Sequence, residues 1–135
     1  MTFVLDASVV LSWHLDDEPN SYADTILARL ASEPAVAPNI WPLEVANGLL
    51  IAERRGRLTT AGTSRVYQDL SDLPIAVQHV PLESAQTSVL ALARDQRLSA
   101  YDAAYLELAM REGLPLATLD DGLRAAGGRV GVPLA

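Results

Sequence analysis

Four short apolar runs, at residues 2–5, 35–37, 75–80 and 116–119, are separated along this chain by segments with helical spacing. Runs this brief and rich in β-formers read as buried strands. Helices are expected from about Ser8, over residues 22–31 with Ile26, Leu27 and Leu30 inward, and from Pro42 through Val45, Leu49 and Ala52 to a stop at Gly56. Proline suits the first turn of a helix, where its missing N–H is harmless, and glycine suits the left-handed cap. Further helices are expected from Thr59 or Thr60 to about Leu70, over 82–94, over 100–111 with a stop at Gly113, and over 121–126; residues 130–132 read as a last strand. Strands alternating with helices imply a parallel sheet covered on both faces. The expected architecture is therefore a three-layer α/β/α sandwich with a central, mainly parallel sheet of four to five strands, built as one domain over residues 1–135. Right-handed crossovers put the C-terminal ends of all the strands on one edge, where ligands of open α/β sheets bind.

Acids fall at that edge. The first apolar run breaks at Asp6 and then resumes, an arrangement that costs free energy unless water, a donor or a cation compensates the carboxylate. Glu44 lies in the first turn after the second strand, Asp102 in the first turn of the helix from Ala100, and Asp120 at the end of the last run. Each has an ordinary structural explanation. The helix dipole stabilises an acid at an N-terminus by roughly 0.3–1 kcal/mol, the segment from Ser99 to Asp102 resembles a capping box, and Asp120 suits an N-cap. Their conjunction asks for more. Four carboxylates meeting at one edge repel one another, and none has a basic neighbour in sequence, so protons or cations must occupy the space between them. Oxygen-only ligands suit hard ions such as Mg²⁺ or Mn²⁺, and two such ions can activate water and stabilise phosphodiester hydrolysis. Small polar residues stand beside the acids: Ser8 two after Asp6, Asn47 three after Glu44, and Thr118 two before Asp120. Each fits either a supporting contact or ordinary capping and surface polarity.

Composition narrows the chemistry. There is no cysteine, so disulfides, zinc–thiolate sites and thiol catalysis are excluded, and a reducing cytoplasm is the expected setting. The ten basic residues are all arginine, so no mechanism that needs a lysine can operate. A net charge of −7 argues against a general nucleic-acid coat, though not against an enzyme that holds nucleic acid through metal ions. No run approaches the roughly 20 apolar residues of a membrane span. Arg54, Arg55 and Arg57 form the one basic cluster, favoured at a helix C-terminus by the dipole or set to grip RNA phosphates. His14 and His79 read as structural.

Taken together, the opening Leu5-Asp6-Ala7-Ser8, the segment from Pro42 to Asn47, Tyr101-Asp102-Ala103-Ala104-Tyr105 and Ala117-Thr118-Leu119-Asp120 resemble the PIN-domain ribonucleases, specifically the toxins of VapBC-type toxin–antitoxin pairs. The resemblance covers essentially the whole chain. It implies Mg²⁺- or Mn²⁺-dependent hydrolysis of RNA, with Asp6 and Asp102 as principal ligands, Glu44 completing the first site and Asp120 serving a second ion or its waters. Ser8, Asn47 and Thr118 match supporting positions, and Asp121 falls at a variable one. It also implies a homodimer held inactive by a small antitoxin. The acidic balance persists without the four site carboxylates and suits a basic partner, with the stretch Ser12-Trp13-His14-Leu15-Asp16-Asp17-Glu18-Pro19, read as a loop, and the Trp41-Pro42 turn as frames for its groove.

Three other readings stand beside it. Receiver domains and aspartyl phosphatases also place acids at strand ends around Mg²⁺, but both rely on a lysine, and the phosphatase pattern wants an acid where Ser8 stands. A PIN-like module that binds RNA or a partner without cutting is the third.

Overall fold

Phe3, Val4 and Leu5 are completely buried and form the first strand, β1 (Phe3–Leu5). A strand buried on both sides shows a continuous apolar run instead of alternation, which is why the run is so dense. In the computed structural model, which describes residues 2–135, β1 is flanked by β2 (Ala35–Pro38) and β4 (Leu116–Ala117), and β3 (Ile75–Gln78) lies outside β2. Every pairing is parallel, with Phe3 opposite Ala35, Val4 opposite Leu116 and Ala35 opposite Ile75. The expected parallel sheet is present with four strands.

The helices follow the strands as the sequence requires: α1 (Ala7–Leu15), α2 (Ser21–Arg29), α3 (Trp41–Arg54) and α4 (Thr60–Ser71). After β3, α5 (Leu82–Ser84), a π-helical turn (Ala85–Val89) and α6 (Leu90–Gln96) run on from one another, followed by α7 (Ala100–Glu112) and α8 (Asp121–Val130). Side-chain caps open several of them. Asn20 accepts from the Ala23 N–H, Thr59 from Gly62 and Ser99 from Asp102, each satisfying a donor left without a partner at a helix start. Gly113 ends α7 at a φ of +66°, as its sequence position suggests.

Two expectations are corrected. Residues 130–132 are not a strand. Leu123, Ala126 and Gly127 give α8 a buried face that carries it on to Val130, and Gly131 closes it in the left-handed region. The tail then folds back across Gly127, where a Cβ would meet the Val132 carbonyl at 3.3 Å, and only Leu134 reaches Leu116 as an isolated bridge. The stretch from Ser12 to Pro19 is not wholly loop either. Burial of Val9, Val10 and Ser12 extends α1 to Leu15, and Ser12 Oγ donates to Asp16 just beyond.

The core is aliphatic, with α7 packed across β1, β2 and β4 through Tyr105, Leu106, Leu108 and Ala109, while Ala103 and Ala104 pack with Val89 and Ala93 of the π-helical turn and α6. Because α7 feeds β4 through the short connection after Gly113, it runs back against the strand direction, and its N-terminus arrives at the strands' C-terminal edge. Among the described residues no helix is long and apolar enough to cross a membrane.

Candidate active site

Four helices begin at that edge, and each brings an acid. Asp6 is the N-cap residue of α1, Glu44 and Asp102 lie in the first turns of α3 and α7, and Asp120 is the N-cap residue of α8. All four line one cleft of about 300 Å³, together with Ala7, Ser8, Leu11, Asn47 and Gly48. Gly48 sets its width: a Cβ there would come within 2.5 Å of Leu11 Cδ1, so its absence lets α3 close on α1.

Asp6 is buried and held by a fixed network. Its Oδ2 accepts from Ser8 Oγ at 2.6 Å and from Thr118 Oγ1 at 2.7 Å. Those two hydroxyls in turn accept backbone N–H groups, Ser8 from Leu119 and Thr118 from Asp120, both at 3.0 Å. Each hydroxyl has one proton; it accepts one N–H from the loop and gives that proton to Asp6. The N-cap explanation fails for Asp6, which makes no cap hydrogen bond. It holds for Asp120, whose Oδ1 accepts from the Leu123 N–H at 2.8 Å.

Glu44 and Asp102 are half-buried. Glu44 Oε1 accepts from the Tyr105 hydroxyl at 2.6 Å. Burial raises the pKa of three of the acids. For Asp6 the Ser8 and Thr118 hydroxyls oppose that shift and Asp120 adds to it; for Asp102 the repulsion of Asp120 and Asp6 comes next; for Glu44 the Tyr105 hydroxyl opposes burial while Asp6 and Asp102 reinforce it. The ion pairs found among the described residues, Arg29–Glu33, Arg111–Glu107 and Arg111–Glu112, leave all four acids out.

Among the described residues no group of three or more such side chains is drawn into a ready cluster around a metal ion. The bonds explain the spread: Asp6, Glu44 and Asp120 each have an oxygen turned onto a protein donor, as mutually repelling carboxylates will arrange themselves. The donor set nonetheless fits a hard divalent ion, since acids from four elements share one cleft that no basic residue lines.

The remaining predicted residues divide. Ser8 and Thr118 hold Asp6, and exposed Asn47 lines the cleft, whereas Asp121 is exposed and does not. Arg54 and Arg55 close the far end of α3, about 15 Å along its axis from Glu44 at 1.5 Å per residue. Arg57 Nη2 donates to the Leu15 carbonyl at 2.6 Å, holding the end of α1. His14 stacks edge-on to Trp13 and burial lowers its pKa, with Asp69 opposing; His79 is exposed. Tyr105 carried no expected role. Its place three residues after Asp102 was the available signal, since that spacing shares a helix face.

The sequence pattern of the PIN domain matches residues 3–129. The chain belongs to the PIN-domain family. A Mycobacterium tuberculosis relative named Ribonuclease VapC3 is 32% identical over 125 residues, covering 91% of this chain and 85% of the relative. The crystal structure of a Pyrobaculum aerophilum protein superposes with a TM-score of 0.69 at 26% identity, over 93% of this chain and 79% of that one. A toxin–antitoxin complex from Klebsiella pneumoniae superposes with a TM-score of 0.60 at 18% identity, over 87% and 86% of the two chains, a likeness of fold alone. The receiver and phosphatase readings fall away with this match. In this PIN domain the four acids are drawn from nearly the whole matched span, Asp6 from its start and Asp120 from its end.

Proposed function

We propose that this PIN domain is a metal-dependent ribonuclease and the toxin of a toxin–antitoxin pair. The observation that carries the reading is the convergence of Asp6, Glu44, Asp102 and Asp120 on one cleft without a basic residue among its lining. The Ribonuclease name of the M. tuberculosis relative supports the substrate class, and the Klebsiella pneumoniae neighbour supports looking for an antitoxin.

Asp6 and Asp102 would hold Mg²⁺ or Mn²⁺, with Glu44 completing the site and Asp120 serving a second ion. The ions supply Lewis-acid activation of water and neutralise charge on the scissile phosphate. The protein's own groups do the rest. Ser8 and Thr118 keep the buried Asp6 carboxylate in one orientation, so little ordering is left for the moment of binding. The N-termini of α1, α3, α7 and α8 all open at the cleft, and their partial positive charge favours both the acids and an incoming phosphodiester. Asn47 at the rim is placed to donate to substrate. Arg54 and Arg55, exposed at the far end of α3, are placed to meet the phosphates of a longer RNA. The antitoxin is a small basic protein that covers this acidic edge, and the toxin acts as a homodimer within their complex.

The test is cleavage of a mixed RNA pool by partner-free protein with Mg²⁺, with Mn²⁺ and with chelator. Cleavage that requires the ion and is lost in Asp6→Asn and Asp102→Asn supports the nuclease. RNA binding without cleavage would instead make the chain a binding module, and equal cleavage by all three proteins would overturn the site.

A further inference from the structure

Tyr105 is completely buried beneath the cleft, on the α7 face that carries Asp102 at the rim. Packing alone does not explain its hydroxyl, since phenylalanine would fill the same space without a polar group to bury. The hydroxyl has one proton, and it goes to Glu44 Oε1 across the cleft floor at 2.6 Å. Glu44 stands on a different element, in the first turn of α3. The bond therefore ties the α7 wall to the α3 wall through a ring that the core holds still.

We propose that Tyr105 is the positioning residue for Glu44, fixing one carboxylate oxygen so that the other is presented to the divalent ion. This rests on the metal-centre reading given above. A free glutamate side chain loses up to about 2 kcal/mol of rotamer entropy when ordered. Asp6 and Asp102 also repel Glu44. Without the hydroxyl it swings towards solvent, and the ion must both recruit and orient it. Partners that orient a metal ligand in this way typically contribute 10–100-fold to affinity.

The experiment is Mn²⁺ binding to partner-free protein by titration calorimetry, for wild type, Asp6→Asn, Tyr105→Phe, Glu44→Ala and the Tyr105→Phe/Glu44→Ala double variant. Tyr105→Phe is expected to weaken binding about tenfold, and to have no further effect once Glu44 is alanine. Glu44→Asp keeps the charge but withdraws the carboxylate from both the hydroxyl and the ion, and is expected to weaken binding at least as much as Tyr105→Phe. Wild-type affinity in Tyr105→Phe, or the same loss with Glu44 absent, would overturn the proposal while loss of binding in Asp6→Asn upholds the metal centre. No Mn²⁺ uptake by wild type would overturn both.

Discussion

Asp102 and Glu107 share helix α7, but the chain surrounds them differently. Glu107, towards the C-terminal half, is more buried, yet Arg111 Nε lies 3.0 Å from its carboxylate one turn further on. Asp102, in the first turn, faces Asp120 and Asp6, which reinforce the pKa rise that burial begins, and it takes no part in the ion pairs found among the described residues. An acid given a cation from its own chain is a structural pair. An acid given other acids is, on the function proposed above, a place for a cation from outside. The same contrast separates the two ends of the domain: the strands' C-terminal edge gathers uncompensated carboxylates, and the remainder of α7 closes its charges internally.

The sharpest way to break the comparison is to neutralise both kinds of acid and measure RNA cleavage. Asp6→Asn and Asp102→Asn are each expected to lower the rate by more than the roughly 100-fold that loss of an outer partner can cost, while Glu107→Gln leaves it unchanged. Equal effects at Asp102 and Glu107 would erase the distinction. Thr118→Val comes next. It removes the proton given to Asp6 and the acceptor of the Asp120 N–H in a fully buried position. A loss of about 1–3 kcal/mol is expected by chemical denaturation, with Thr118→Ser recovering most of it.

A smaller effect of opposite sign is expected for Asp6→Asn in chelator. The folded pKa of Asp6 lies above its ordinary value of 3.8, so the folded state binds more protons than the unfolded one between those two values. Stability from this group is then full below 3.8 and falls as pH rises through the folded value. Without divalent ions Asp6→Asn should melt higher than wild type at neutral pH, with the gap closing as the pH falls towards 3.8. The smallest effect is that of Glu107→Gln on stability. Its partner Arg111 is 42% exposed, which limits the loss to about 1 kcal/mol or less.

The edge carrying the acids was legible because alternation of apolar runs and helical segments forces parallel strands, and parallel strands put residues such as Asp6 and Asp120 on one side whatever the loops do. Asp102 was placed by its helix running back into β4, a consequence of the short turn at Gly113. What sequence spacing does not carry is the direction of side chains between elements. The Tyr105–Glu44 bond joins α7 to α3, and the approach of Gly48 to Leu11 joins α3 to α1; neither leaves a periodic trace. The ends of elements were misread for a related reason. The helix expected over residues 121–126 does not stop there: Gly127 is buried where the returning tail needs room, and the helix continues to Val130. Ser12 is likewise buried in α1, and its hydroxyl donates to Asp16 at the cap of the same helix.

Whether the cleft is a cation site is tested most directly by the melting temperature of partner-free protein titrated with Mn²⁺, for wild type and Asp102→Asn together. An ion that binds only the folded state raises stability by RT ln(1 + [L]/Kd). Wild type should therefore melt progressively higher with Mn²⁺, and Asp102→Asn should stay flat through the same range. Parallel curves for the two proteins, or no response from wild type, would contradict the assignment of the four carboxylates to a metal centre.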